Sequence, residues 1–148
     1  MLAQGGWDGA PLRKVIERAM EPYEGTPSRV ALNGLPLRLA SAAVVSLSLT
    51  FHELATNAAK HGALSVPEGR VEVTWTRRRA ESGKHVLEIL WREEGGPPVS
   101  PPRRRGFGSR LLQQSLQHEF GCTVALNFAP EGLECRICLP LTANVLGV

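Results

Sequence analysis

The segment from Leu39 to Gly62 constrains this chain more than any other. It contains no proline and carries an apolar run from Leu39 to Leu54. It therefore predicts one long helix from about Ser41 to His61, with Gly62 as its C-terminal cap. Residues three and four apart on a helix share a face, so Glu53, Asn57 and Lys60 project together. An amide oxygen can ligate a hard cation, a carboxylate can polarise a water or hydroxyl, and an ammonium can meet phosphate oxygens. The ordinary explanation of such a face is a solvated Glu–Lys pairing. Asn57 argues against it, because asparagine is a poor helix former and this one lies deep in an Ala- and Leu-rich helix.

Around that helix the pattern alternates between helical and strand periodicity. Pro11 to Tyr23 reads as a helix, with Leu12, Val15, Ile16, Ala19 and Met20 on one side. Arg29 to Asn33 reads as a short strand, Asn33-Gly34 as a hairpin turn, and Leu35 to Leu39 as its return strand. Val71 to Trp75 and Val86 to Trp91 are strands separated by a turn over Glu81 to Lys84. Glu93 to Gly108 is rich in Gly, Pro and Arg and reads as loop. Ser109 to Phe120 is an amphipathic helix with Leu111, Leu112, Ser115, Leu116 and Phe120 inward. Thr123 to Phe128 and Glu134 to Leu141 are strands joined through Pro130 to Gly132. The expected fold is α/β: a two-layer α/β sandwich in which three helices cover one face of a mixed five-stranded sheet.

With 148 residues the chain is expected to form one domain over residues 1–148, able to hold a core without staples. No apolar stretch reaches about 18 residues without polar breaks, and no basic start precedes an apolar block, so neither a membrane span nor a leader is expected. Cys135 and Cys138 have CxxC spacing but fall in a strand-like run, where residues three apart face opposite sides. With Cys122 they read as structural, reduced thiols, which points to the cytoplasm. The charge of +3 is concentrated in Arg77–Arg79, read as a solvated turn, and Arg103–Arg105. Neither run is interleaved with aromatics, so nucleic-acid binding is not expected.

Two further segments complete a constellation with the helix face. Trp91-Arg92-Glu93-Glu94-Gly95-Gly96 offers a carboxylate that can accept from an exocyclic amine, and glycines that let a planar base approach. Gly106-Phe107-Gly108-Ser109 opens a helix whose free amides can hold phosphate oxygens, with Arg105 just ahead of it.

These motifs resemble the ATP-binding catalytic domain of bacterial sensor histidine kinases of the HWE subfamily. His52-Glu53-Leu54-Ala55-Thr56-Asn57-Ala58-Ala59-Lys60-His61-Gly62 is similar to its asparagine box, Trp91-Arg92-Glu93 to its Trp-x-Glu, and Gly106-Phe107-Gly108-Ser109 to its later glycine box. The resemblance runs from about Trp7 to Leu141 and implies the Bergerat ATP-binding fold. It implies ATP and Mg2+ as ligands, with Asn57 on the metal and Glu53 assisting metal or proton handling. It also implies Lys60 on phosphate, His61 against the nucleotide and Glu93 on the adenine amine. Gly95 and Gly96 then give the base room, and Arg105, Gly106, Phe107, Gly108 and Ser109 support the phosphates and lid. His52 is either part of that motif or a helix-packing residue, and Trp91 reads as core.

A histidine kinase phosphorylates a histidine on a dimerising helical hairpin. None of His52, His61, His85 and His118 has the setting of that acceptor. The expected partners are therefore a phosphoacceptor hairpin of the same or a parent protein and a downstream response regulator. The isolated domain is expected to be a monomer without membrane contact. Two alternatives remain: a serine kinase of the anti-sigma-factor type on the same fold, and a non-catalytic module that binds nucleotide or a partner protein.

Overall fold

The computed structural model describes residues 9–23, 29–97, 107–142 and 145–146, with the backbone alone at 107–113. Elements are named in chain order. Strand β1 is Ala10–Pro11, helix α1 Leu12–Met20, β2 Val30–Gly34 and β3 Arg38–Leu39. Helix α2 is Ser41–His61, β4 Arg70–Arg79, β5 His85–Glu94, α3 Phe107–Phe120, β6 Thr123–Ala129 and β7 Gly132–Pro140. Single 3-10 turns follow α1 at Glu21–Tyr23 and α2 at Ala63–Ser65.

The main sheet is five-stranded and mixed, in the order β2-β4-β5-β7-β6. Strand β2 runs parallel to β4, and every other neighbouring pair is antiparallel. Helix α2 lies in the connection from β2 to β4, the kind of crossover that a parallel pair needs. Alternation fixes which face is buried. Val71, Val73 and Trp75 of β4, Leu87, Ile89 and Trp91 of β5, and Cys135, Ile137 and Leu139 of β7 point inward. They meet Leu12, Val15, Ile16 and Met20 of α1, Leu47, Phe51, Leu54 and Ala58 of α2, and Leu116 and Phe120 of α3. The opposite face carries Glu88 between Arg78 and Arg136, and Arg92 beside Glu134, at 3.5 to 3.6 Å. Such open pairs add little stability.

The two-layer sandwich matches expectation, while several local readings do not. Asn33-Gly34 is not a hairpin turn. Gly34 ends a strand that pairs in parallel with β4, placed opposite Trp75. Its φ is not positive, whereas the favoured two-residue hairpin turns need positive φ. The glycine serves close approach instead: a Cβ there would lie 2.2 Å from the Trp75 ring, whose Nε1 donates to the Leu35 carbonyl at 2.8 Å. The expected return strand shrinks to Arg38–Leu39 and pairs with β1, outside the main sheet.

Arg77–Arg79 continue β4 rather than forming a turn, because β5 offers partners as far as His85. The expected loop starts two residues late, since β5 runs through Glu94. Helix α1 proper ends at Met20, with its last turn 3-10, and α3 begins at Phe107. Ser115 is exposed, while Leu116 and Phe120 are buried. Leu111 and Leu112 fall outside the described side chains. Among the described residues no helix is long and apolar enough to cross a membrane.

Candidate functional site

Strand directions bring the candidate segments to one end of the molecule. Arg70 at the start of β4 pairs with Glu94 at the end of β5. Helix α2 runs from the end of β2 to the start of β4, so its C-terminus arrives at that same end. Helix α3 leaves from the side where β5 ends and delivers the chain to the start of β6 at the other. Helices α2 and α3 are therefore antiparallel neighbours, consistent with Ser46 near the start of α2 donating to Glu119 near the end of α3 at 3.1 Å. Asn57 and Gly108 each lie 11 residues along their helices from that contact, about 16 Å at 1.5 Å per residue. The first turn of α3 thus lies toward the C-terminal end of α2. The β6–β7 turn closes the same end at Ala129–Gly132.

The α2 face is built as its spacing implies. Asn57 is half-buried, and its Nδ2 donates to Glu53 Oε2 at 3.3 Å. That bond turns the amide nitrogen toward the carboxylate and leaves Oδ1 as the amide's acceptor. Lys60 and His61 are exposed in the last turn, where positive charge also suits the helix C-terminus. His52 is exposed, so it does not pack between helices; its carbonyl accepts from Thr56 Oγ1 at 2.8 Å.

Glu93 ends the inward row Leu87-Ile89-Trp91 and is 5% exposed. Its Oε1 accepts from the Ala63 amide at 3.0 Å, and its Oε2 from Trp91 Nε1 at 2.9 Å. Burial raises its pKa above the ordinary value of 4.5, and the Trp91 and Ala63 hydrogen bonds pull the other way. Trp91 is fully buried and stacks on Phe51 of α2, ring centroids 6.4 Å apart.

Close backbone approaches surround this carboxylate. A Cβ on Gly62 would stand 2.2 Å from Glu93 Oε1 and 3.1 Å from the Ala58 Cα. Gly62 therefore does more than end α2: its φ of −111° is not a left-handed cap, and its amide bonds the Ala58 carbonyl at 3.0 Å. A Cβ on Gly96 would lie 2.5 Å from the Ala63 Cα, and Gly95 adopts φ +74°.

Arg29 is a residue whose role here the sequence patterns did not expose. Its guanidinium donates to the carbonyls of Ala63, Val66 and Gly69, clamping the turn that presents the Ala63 amide. The sequence reads Arg29 only as the first residue of a strand, which in fact starts at Val30, since the carbonyls it binds belong to a distant segment. Arg105 and Gly106 lie outside the described residues. Phe107, Gly108 and Ser109 form the first backbone turn of α3, and their side chains are outside the description.

The three cysteines are free. Cys135 faces the core and Cys138 the opposite side of the sheet, so the CxxC spacing does not converge. Burial pushes the Cys122 and Cys135 thiols up to about 12, keeping them protonated at neutral pH.

No family model matches the chain. The blue-light-activated histidine kinase of Brucella anthropi is 40% identical over 146 residues, 98% of this chain and 30% of that protein. The Brucella ovis protein of the same name is 37% identical over the same shares. The chain is homologous to a segment of these blue-light-activated histidine kinases. It spans about 30% of the length of those relatives.

Solved structures agree on the fold. The histidine kinase domain of the Erythrobacter litoralis EL346 blue-light activated histidine kinase superposes with a TM-score of 0.63 at 17% identity. That match covers 90% of this chain and 60% of that one. The mycobacterial sensor histidine kinase MprB superposes with a TM-score of 0.62 at 18% identity, covering 94% and 97%. The architecture is thus that of histidine-kinase catalytic domains, as the motifs implied.

Proposed function

We propose that the chain is the ATP–Mg2+-binding catalytic domain of an HWE-type sensor histidine kinase. It passes the γ-phosphoryl of ATP to a histidine on a separate helical hairpin, from which a response regulator is charged. The observation that carries this reading is the Glu53–Asn57 pair, held at 3.3 Å on the helix whose end abuts Glu93. A cation-binding face and a buried amine acceptor then share one end of the sandwich, separated by little more than the last turn of α2.

The donor set fits a hard divalent cation: Asn57 offers a neutral amide oxygen and Glu53 a carboxylate beside it. Mg2+, when bound with the nucleotide, neutralises phosphate charge. The chain's own groups do the rest. Glu93 accepts from the adenine amine, whereas Gly95 and Gly96 do not open space for the base as the resemblance implied. A Cβ on Gly95 would lie 2.9 Å from the Glu68 carbonyl oxygen and one on Gly96 2.5 Å from the Ala63 Cα, so both let the end of β5 pack against the turn after α2. Lys60, His61 and Arg105 bring positive charge or contact to the nucleotide. The amides of Phe107, Gly108 and Ser109 at the α3 N-terminus suit phosphate oxygens, and Gly106, just ahead of them in sequence, belongs to the same motif. Neutral imidazole is itself a nucleophile, so positioning rather than a strong base governs transfer, and Glu53 needs only to orient the acceptor or take its proton.

Calorimetric titration with ATP, with and without Mg2+, tests the binding half. Metal-dependent ATP binding is expected; a folded sample that binds neither form sinks the proposal. Labelled ATP offered together with the acceptor hairpin tests transfer. Label should appear on the hairpin as acid-labile phosphohistidine. Binding without transfer would instead support a non-catalytic nucleotide module.

A further inference from the structure

The buried surroundings of Glu93 are more elaborate than a carboxylate at a pocket rim requires. It stands at the end of a strand, yet both of its oxygens are already engaged. The donors come from opposite sides. Trp91 lies two residues earlier on the same face of β5, and the Ala63 amide lies in the turn after α2. Neither donor is free to drift. Trp91 is fully buried against Phe51 of α2, two residues before Glu53. Ala63 is held through its carbonyl by Arg29, which also binds Val66 and Gly69. The backbone of Glu93 is pinned as well: a Cβ on Gly132 would fall 1.8 Å from its carbonyl oxygen. Finally, Oε1 occupies space that a Cβ on Gly62 would need.

We propose that Trp91 and Gly62 are positioning residues for Glu93, which set the chain's preference for a 6-aminopurine nucleotide. The inference rests on the reading that Glu93 meets the base. Its content is that the indole N–H and the Ala63 amide each take one oxygen and fix the carboxylate's rotation. The bare Cα of Gly62 makes room for a glutamate there. An aspartate, shorter by one carbon–carbon bond of about 1.5 Å, would not reach both donors at once. A carboxylate has about four lone-pair sites, so two remain after these bonds. Fixed in place, they accept an exocyclic amine and repel the carbonyl that a 6-oxopurine presents at the same position.

The test compares ATP with ITP, which differ at the 6-position, by calorimetry at constant Mg2+. Trp91→Phe keeps a ring against Phe51 and deletes the donor. The ATP-over-ITP preference should fall about tenfold, the scale of a hydrogen bond to a charged group. A merely structural role would weaken both nucleotides alike. A folded Trp91→Phe protein with the wild-type ratio overturns the proposal.

If that variant does not fold, Gly62→Ala decides. It should weaken ATP binding and narrow the ATP-over-ITP ratio, because the added methyl needs the space that Oε1 holds. A folded Gly62→Ala chain with the wild-type ratio would overturn the idea. A nucleotide-free reading separates this inference from the ATP proposal. The indole N–H resonance of Trp91 should move on Glu93→Ala, while that of Trp75, bonded to the Leu35 carbonyl, stays put. A wild-type chain that ignores ATP but shows this response fails only the nucleotide reading. An unmoved Trp91 resonance fails the positioning itself.

Discussion

Asn57 is the residue at which local preference and chemistry most plainly disagree. Replacing it with alanine removes a poor helix former and one 3.3 Å hydrogen bond to Glu53. Propensity alone returns about 0.5 kcal/mol to the helix. Asn57→Ala should therefore melt within a few degrees of the parent while losing Mg2+-dependent ATP binding by at least about a hundredfold, some 2.7 kcal/mol. Parallel thermal melts and calorimetry check both halves, and near-parental affinity in a folded variant would remove Asn57 from the metal site.

Glu93 makes a second prediction, in pH. Its folded pKa is raised, so the native state holds its proton over a window in which the unfolded chain has lost it. Stability from this group is present below about 4.5 and declines as pH rises toward the folded value. Denaturant unfolding across acidic to neutral pH should show that decline, and Glu93→Gln should flatten it. Equal slopes in the two proteins would mean that Trp91 and Ala63 already offset the burial. Both side chains were legible in the sequence because their chemistry is intrinsic to them. Gly62 was legible only as a helix end, since the atom it accommodates belongs to Glu93.

At the scale of elements, periodicity located every strand of the main sheet and all three helices, and the errors fell where a short signal has two physical meanings. Asn-Gly marks a tight turn, but glycine also marks a place where another group lies against the backbone. Local sequence contains nothing of Trp75, whose ring occupies the Gly34 Cβ position. Strand length failed for a related reason: β4 continues through three arginines because β5 supplies partners, although their composition alone suggests a turn. Gly34→Ala follows directly. The ring must shift and its bond to the Leu35 carbonyl must loosen, so unfolding free energy should fall by about 1–3 kcal/mol. A hairpin turn at Gly34 with open space around it would tolerate the change, and a urea unfolding curve distinguishes the two.

Across the whole molecule, the site depends on topology that no local pattern encodes. The order β2-β4-β5 with β2 parallel to β4 is what returns the C-terminus of α2 to the end where β5 finishes. Arg29 ties that arrangement together. Its own carbonyl accepts from the Val71 amide at 3.0 Å, while its guanidinium reaches the Ala63, Val66 and Gly69 carbonyls. The edge strand, the start of β4 and the turn that offers an amide to Glu93 are thus joined through one planar cation. A lysine keeps the charge but replaces the fork with a single ammonium, which cannot hold the same three carbonyls in that geometry. Arg29→Lys should leave helix and strand content unchanged while releasing the 62–69 turn. Amide exchange at Ala63 should quicken by about tenfold or more, a local opening made easier by roughly 1.4 kcal/mol. ATP affinity should fall with it, because the Ala63 amide then holds Glu93 only part of the time. If exchange at Ala63 stays at the parental rate, the turn is held by its own backbone bonds and by the packing of Leu64, and Arg29 serves only to cap the edge of the sheet.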